Sequence, residues 1–479
     1  MPSRYNPVRS VILLVGAALA QLGLVDRRSV VRATDLSWPR IVTGIARMSK
    51  SAADVAMVGL ALGPAAIAGV GFATPFWGLA FTLGGGVAGG TISMVSRFYG
   101  AGAEEELERT VKTSVLASLV VVVPVAVLCW AFPRALVGLL DSGPALDYGA
   151  RYLGAVAVGM PFAALNLIAS RTLVGADDAW TPMVLRTGGA VVNVVVNAVL
   201  LFGLGTGVEG AAAGTVVGNV VVTGAFAVGL IRGRLPGVGA FPVRVSPAGP
   251  AVDRATLAEL TDVGTPLLLR NLAGRGADFP KLAIVGLFGP NVAAAFVVAL
   301  RVRDLLDTPN WGFSLASSTL VGQALGRGEE REAAAWGRDV LRFTVAVYAV
   351  LAASVLVFAE QVSRLFVDDP AILPLVTAFV VVTCVSVVFR GVDGGCVGPL
   401  RASGDTRWPL YAQLAGMYLF AVPLAYLGAV TPLGVWGLYV ALVAEAFVPA
   451  AITYYRFRSG TWMAIGRAYR GESGVKSGS

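Results

Sequence analysis

Long apolar stretches alternate with short polar breaks along the whole chain. The stretches are about 20 residues long, which is the length an α-helix needs to cross the hydrocarbon core of a bilayer. A soluble chain of 479 residues would instead alternate apolar and polar faces within each element. The pattern predicts spans at residues 41–63, 66–95, 111–132, 149–170, 181–204, 207–231, 257–289, 291–322, 339–359, 371–398, 408–430 and 433–455. We therefore expect an all-α integral membrane protein with twelve transmembrane helices.

The second half of the chain repeats short segments of the first half, 226 or 227 positions later. The pairs are VGLALGP (58–64) with IVGLFGP (284–290), YGAGAEEE (99–106) with LGRGEERE (325–332), LVGADD (173–178) with LRASGD (400–405), and GVEG (207–210) with GVWG (434–437). Four pairs at one offset indicate two copies of a six-span unit. An even number of spans per copy makes the two copies parallel in the membrane.

The polar breaks predict the domain boundaries. We expect an N-terminal interfacial segment (1–34), an N-lobe (35–231), a cytoplasmic linker (232–256), a C-lobe (257–456) and a cytoplasmic tail (457–479). Most of the 37 Lys and Arg residues lie in or beside alternate breaks, which places both termini in the cytoplasm by the positive-inside rule. The protein is expected in the plasma membrane, and its net charge of +8 then reflects topology, not a nucleic-acid partner.

The composition excludes several kinds of chemistry. Hydrophobic residues make up 56% of the chain and charged residues 14%. The sequence has no histidine, so catalytic triads and imidazole metal ligands are excluded. Its three cysteines lie in or beside apolar runs without the spacing of metal ligands and are expected to be packing residues. No metal, cofactor or catalytic residue is predicted, and the protein is not expected to be an enzyme.

Ionisable residues inside the spans are the main candidates for function, because charges in the membrane are costly. In the first span, Lys50 and Asp54 lie one helical turn apart, after Pro39. Asp54 is the sole acid at this depth in the first half. Further charges lie in the second half, at Arg270, Arg275, Asp278, Lys281, Arg301, Arg303, Asp304, Asp307, Arg390, Asp393 and Glu445. Each could form a structural ion pair, but so many together indicate a wet central cavity.

Amide side chains form a second polar group. Asn193 and Asn197 are four residues apart on one face of the fifth span, and Thr215 lies in the sixth. Amides commonly hold membrane helices together through hydrogen bonds. The alternative is an oxygen-rich pocket that faces Asp54.

These residues together resemble the multidrug and toxic compound extrusion (MATE) family, over about residues 35–460. The resemblance is carried by ADVAMVG (53–59), RFYGAG (97–102), NVVVN (193–197), SSTLVGQ (317–323) and LRASGDT (400–406). It implies two six-helix lobes in a V shape that work by alternating access. It also implies export of small organic, often cationic, compounds against inward flow of protons or sodium. A monomer suffices for this mechanism, and no cofactor is needed beyond the ion gradient.

The resemblance to the archaeal-type branch implies an N-lobe coupling pocket. Its positions correspond to Asp54, Tyr152, Asn193 and Thr215, with Pro39 as the bending proline of the first helix. The chain departs at Asn197, where the branch has a second aspartate. The expected substrate cavity comprises Lys50, Asp278, Arg301, Asp304, Asp307 and Asp393.

The sequence allows more than one interpretation of the coupling ion and of the class of substrate. A single carboxylate beside the Lys50 ammonium makes a poor sodium site, because both cations compete for the same oxygens. Protonation of Asp54 is therefore the preferred coupling step. The main alternative is a flippase of anionic lipid-linked intermediates, since the arginines of the second half suit phosphate groups. The acids near these arginines favour the exporter.

Overall fold

The protein is almost entirely helical in the computed structural model, which describes residues 7–139, 143–248, 252–367 and 370–476. Within these ranges, the structure describes all side chains except those of residues 278, 279, 290 and 470–476. The first half contains α1 (Pro7–Gln21), α2 (Arg27–Leu62), α3 (Pro64–Ala101), α4 (Glu104–Ala131), α5 (Pro133–Gly138), α6 (Ala145–Ala157), α7 (Met160–Gly175), α8 (Trp180–Ala198) and α9 (Val208–Arg232). A π-helical turn, Val199–Gly203, continues α8.

The second half contains α10 (Arg254–Gly276), α11 (Asp278–Gly286), α12 (Pro290–Leu306), α13 (Thr308–Arg327), α14 (Glu330–Val357), α15 (Ala359–Arg364), α16 (Leu373–Ala402), α17 (Arg407–Leu414), α18 (Val422–Val430), α19 (Val435–Ser459) and α20 (Thr461–Lys476). A π-helical segment, Ala415–Ala421, joins α17 to α18. Two short antiparallel strands, β1 (Arg234–Leu235) and β2 (Gly239–Ala240), lie in the predicted linker, with Arg234 opposite Ala240.

The four repeated sequence segments form the same turns in both halves. Each contains a residue with positive φ at a helix boundary: Gly63 (85°) and Gly289 (91°), Gly102 (69°) and Gly328 (81°), Asp177 (71°) and Gly404 (86°), Gly207 (69°) and Gly434 (55°). Glycine adopts this conformation without steric cost, so it ends or begins helices readily. The repeat seen in the sequence is thus a repeat of helix boundaries.

Eight described helices are long and apolar enough to cross a membrane by length and composition. They are α3, α4, α8 with its π-helical turn, α9, α14, α16, α17 through α18, and α19. The pair α6 and α7, bent by 51°, gives a ninth span. The remaining predicted spans correspond to α2, α10 with α11, and α12 with α13. Of these, α11 (9 residues) and α12 (17 residues) are too short to qualify, and charged or polar residues lower the hydropathy of α2, α10 and α13.

The chain divides into two compact units. The N-unit is Val42–Leu268, and the C-unit is Met1–Ile41 together with Leu269–Ser479. The C-unit therefore includes the N-terminal segment, where α1 packs through Gly16 against Val30 and Phe343. The helix α2 begins at Arg27, before the boundary predicted at residue 35. The lobe boundaries drawn from the sequence stay a prediction.

Each unit is built around a central helix. In the N-unit, α3 packs against α4, α6 and α7, and α8 packs against α9. In the C-unit, α16 packs against α12, α13, α14 and α19. A large apolar cluster lies around α16 and includes Phe296, Val376, Phe379 and Leu442. These cores hold the polar side chains described below in fixed positions.

Candidate functional site

Asp54 is the centre of a polar pocket inside the N-unit. Its Oδ2 accepts a hydrogen bond from Lys50 Nζ at 2.7 Å, and its Oδ1 accepts one from Asn197 Nδ2 at 2.7 Å. Lys50 Nζ also lies 3.4 Å from Thr215 Oγ1, to which Asn193 Nδ2 donates at 3.1 Å. The structure therefore brings together the five residues Lys50, Asp54, Asn193, Asn197 and Thr215.

Three helices position this pocket. Lys50 and Asp54 occupy successive turns of α2, and Asn193 and Asn197 occupy successive turns of α8. Thr215 on α9 closes the pocket from the third side. The predicted residue Tyr152, on α6, packs against an apolar cluster that includes Val58 of α2 and Ala211 of α9. Of the two readings of the amides, the contacts agree with a pocket that faces Asp54.

Close approach of α8 and α9 depends on glycines that the sequence reasoning did not single out. A Cβ added at Gly214 would lie 1.8 Å from Asn197 Oδ1, and one added at Gly218 would lie 2.9 Å from the Gly189 carbonyl oxygen. Gly189, Gly214 and Gly218 thus remove the bulk that would separate the helices. The spacing of four between Gly214 and Gly218 was a signal available in the sequence.

The pocket is buried, but the ion pair is not sealed. Asn193 and Asn197 are 0% exposed, whereas the side chains of Lys50 and Asp54 keep 21% and 13% of their exposure. Within the described part of the chain, the Oδ1 atoms of Asn193 and Asn197 have no hydrogen-bond partner. Because these two amide oxygens can still accept hydrogen bonds, the pocket can bind one more group there. That group could be a protonated carboxyl or a water molecule, which would donate a hydrogen bond, or a cation.

The C-unit contains a second charged cluster, centred on Glu445. Its side chain is 1% exposed and accepts hydrogen bonds from Lys281 Nζ at 2.7 Å, Arg303 Nη1 at 2.8 Å and Arg390 Nη2 at 3.2 Å. Arg390 Nη1 also lies 3.3 Å from Asp307 Oδ2. The sequence alone does not assign Glu445 to a site, because its three partners come from three distant segments.

The predicted cavity residues of the second half do not form one cluster. Asp307 joins the Glu445 cluster through Arg390, and the largely exposed Asp304 pairs with Arg303 at 3.2 Å. Asp393 lies in a separate pair with Arg270 and accepts a hydrogen bond from Thr453 Oγ1 at 3.1 Å. Arg301 is exposed. The side chain of Asp278 lies outside the described part of the structure.

Two further predictions concern a hinge and metals. Pro39 is buried within α2, which continues through it from Arg27 to Leu62. Its role as a hinge stays a prediction. Among the described residues, no group of three or more His, Cys, Asp or Glu side chains could hold a metal ion.

Comparison with known proteins identifies the fold. The chain matches the sequence model of the MatE family over residues 39–199 and 266–427. It is 23% identical over 430 residues to the probable multidrug resistance protein YoeA of Bacillus subtilis, covering 88% of this chain and 92% of that protein. It is also 23% identical over 427 residues to an FAD transporter of Shewanella oneidensis, covering 88% and 92%.

A solved structure has the same fold. An outward-facing multidrug resistance MATE family transporter of the MOP superfamily superposes with a TM-score of 0.82 at 23% identity, covering 91% of this chain and 96% of that one. This confirms the predicted all-α class of twelve membrane helices in two six-helix repeats, including the charged spans that do not qualify by length or hydropathy. It also confirms a multi-pass membrane protein that is not an enzyme. The chain belongs to the MATE family of membrane transporters.

Proposed function

We propose that this chain exports small organic compounds by alternating access and takes up protons in exchange, with Asp54 as the proton-binding group. Its relatives carry multidrug resistance names, which supports an organic substrate. The observation that carries the proposal is the Lys50–Asp54 pair at 2.7 Å, partly buried beside two amide oxygens for which the described residues provide no hydrogen-bond partner. Membrane-embedded carboxylates of this kind are typical proton carriers.

The contacts of Asp54 favour the proton over sodium. Both of its oxygens already accept hydrogen bonds, one of them from an ammonium group. A sodium ion would have to displace Lys50 and would then lie next to its charge. A proton needs no such space, because it binds one carboxylate oxygen and turns an acceptor into a donor.

Each step of the proposed cycle assigns a role to a residue. In the deprotonated state, Asp54 holds Lys50 and Asn197. Protonation from the outside neutralises the carboxyl, so Lys50 loses its counter-ion and the pocket must rearrange. The new O–H donates to one of the free amide oxygens, and α2 bends at Pro39 as the substrate is released. Deprotonation toward the cytoplasm restores the pair.

The proposed substrate is an organic compound bound near the charged side chains of the second half, at Arg301, Asp304, Asp307 and Asp393. Lys50 stays a predicted cavity residue. A single chain in the plasma membrane, with both termini in the cytoplasm, would carry out the whole cycle. Lipid surrounds the protein and nucleic acid has no role.

The test measures ethidium transport in proteoliposomes, driven by a pH gradient or by a sodium gradient. For the wild type we expect transport with the pH gradient and none with sodium alone. The asparagine of Asp54→Asn has nearly the same shape as the aspartate but cannot bind and release a proton. We therefore expect proton-driven transport to fall at least tenfold.

The control is Asp147→Asn, an exposed acid that pairs with Arg134 at 3.1 Å. It should transport like the wild type. Normal transport by Asp54→Asn would contradict the coupling role, and sodium-driven transport at constant pH would overturn the choice of ion. Transport with neither gradient would move the assignment to the flippase of anionic lipid-linked compounds, to be tested next with labelled lipids.

A further inference from the structure

The carboxylates of the C-unit whose side chains the structure describes near the middle of the membrane, all but Asp278, already have partners. Glu445 has three cationic partners, Asp307 has Arg390 and Asn310, and Asp393 has Arg270 and Thr453. Asp304, the exposed one, pairs with Arg303. A cationic substrate would have to break one of these pairs in order to find a negative partner here.

The cations of the same region are in excess. The region contains six Lys or Arg residues and five acids, counting Asp278; they lie in segments 270–307 and 390–393 and at residue 445. Within the described part of the chain, Arg275 and Arg301 have neither an ion-pair nor a hydrogen-bond partner, and both are exposed. The Nε atoms of Arg270 and Arg390 are buried without an acceptor. Among the described side chains of this region, guanidinium hydrogen-bond donors therefore remain unpaired, whereas each carboxylate already accepts a hydrogen bond or forms an ion pair.

The depth of these two arginines indicates that they face water. Arg275 lies at the end of α10, 11 residues before α11 ends, and Arg301 lies on α12, 11 residues after that helix begins. At the helical rise per residue, 11 residues correspond to roughly 17 Å from the loop between α11 and α12. That distance corresponds to the middle of a hydrocarbon core about 30 Å thick. An unpaired guanidinium facing lipid at this depth is costly, so an aqueous cavity is the favourable surrounding.

We propose that Arg275 and Arg301 bind an anionic group, a carboxylate or phosphate, of the transported organic compound. The proposal rests on the exporter function given above and adds to its substrates a preferred class of compounds that carry a negative charge, zwitterions included. Guanidinium groups bind carboxylate and phosphate through paired hydrogen bonds, which gives this class an advantage over cations.

Binding to the purified full-length protein in detergent tests the proposal without any ion gradient. Rhodamine B carries a free carboxylate at neutral pH, and its ethyl ester is the same fluorophore without that charge. Fluorescence anisotropy titrations should give a dissociation constant about tenfold lower for rhodamine B than for the ester. Equal affinities would overturn the proposal.

Two variants assign the difference to the arginines. Arg275→Gln and Arg301→Gln should each raise the dissociation constant for rhodamine B severalfold, and the affinity for the ester should stay unchanged. The matched control is Arg364→Gln, at the end of α15, where the exposed arginine pairs with Glu360. Unchanged ester binding also shows that a variant is folded. Retention of rhodamine B preference in the double variant would refute the assignment.

Displacement experiments identify the kind of anion that binds, and their outcome does not depend on whether the exporter function is correct. Displacement of rhodamine B by benzoate supports a soluble organic anion as the ligand. Displacement by short-chain phosphatidylglycerol and not by benzoate would contradict it in favour of a lipid headgroup. Because dye binding is measured without an ion gradient, a failure of proton coupling leaves the binding result standing. Conversely, a failure of the dye preference leaves proton-driven ethidium transport intact.

Discussion

Two buried acids, Asp54 and Glu445, have opposite surroundings. Asp54 faces one ammonium group and neutral amides, so loss of its charge leaves a single cation to accommodate. Glu445 faces Lys281, Arg303 and Arg390, so loss of its charge would leave three cations around a neutral group. The first arrangement suits a charge that changes during transport. The second suits a charge that holds helices together.

Replacement of Glu445 by glutamine should therefore destabilise the protein severely. Removing one partner of a buried ion pair typically costs about 3–5 kcal/mol, because the remaining charge is left uncompensated. We expect a clear fall in the melting temperature of the detergent-solubilised protein. Glu360→Gln removes an exposed ion pair and should change stability by about 1 kcal/mol or less. Similar melting temperatures for the two variants would show that Glu445 is not a structural centre.

At the scale of elements, glycines set both the helix boundaries and the closest helix contacts. Positive φ angles at Gly63, Gly102, Gly207 and their repeat counterparts end or start helices at corresponding places. Inside the N-unit, Gly214 and Gly218 let α9 approach α8. The Asp54 pocket therefore depends on helix spacing as much as on its polar residues.

Gly214→Ala should disturb the pocket without touching any polar residue. The added methyl group would lie 1.8 Å from Asn197 Oδ1, so Asn197 or α9 must move. We expect proton-driven transport to fall about tenfold, since small displacements of a binding group have effects of about this size or larger. Gly224→Ala, on the same helix, has nothing within 4 Å of the new Cβ and should transport like the wild type. Equal transport by the two variants would count against the importance of this contact.

At the scale of the whole molecule, the positive-inside rule predicts an orientation that labelling can check. The three native cysteines are buried, so background labelling in intact cells should be low. A cysteine at Thr206, in the exposed break before α9, should react with a membrane-impermeant maleimide added outside. A cysteine at Ser459, at the end of α19, should react only after the membrane is permeabilised. The reverse pattern would invert the topology.

The sequence by itself determined the class of protein. Apolar runs of membrane length and a repeat at an offset of 226 or 227 were sufficient for twelve membrane helices in two copies of one unit, because bilayer thickness and helix rise leave few alternatives. The expectation of a transporter came from the resemblance of short motifs to the MATE family. The neighbours Lys50 and Asp54, and Asn193 and Asn197, were also readable, since a spacing of four puts side chains on one helical face.

Tertiary structure decided which of these residues meet. That Asn197 and Thr215 reach the Lys50–Asp54 pair depends on the packing of α2, α8 and α9, which local spacing does not encode. Glu445 has its three cations from α11, α12 and α16, and Arg301 lies outside this cluster although Arg303 is inside it. Contacts between distant segments depend on helix rotation and crossing, and a local pattern leaves both undetermined.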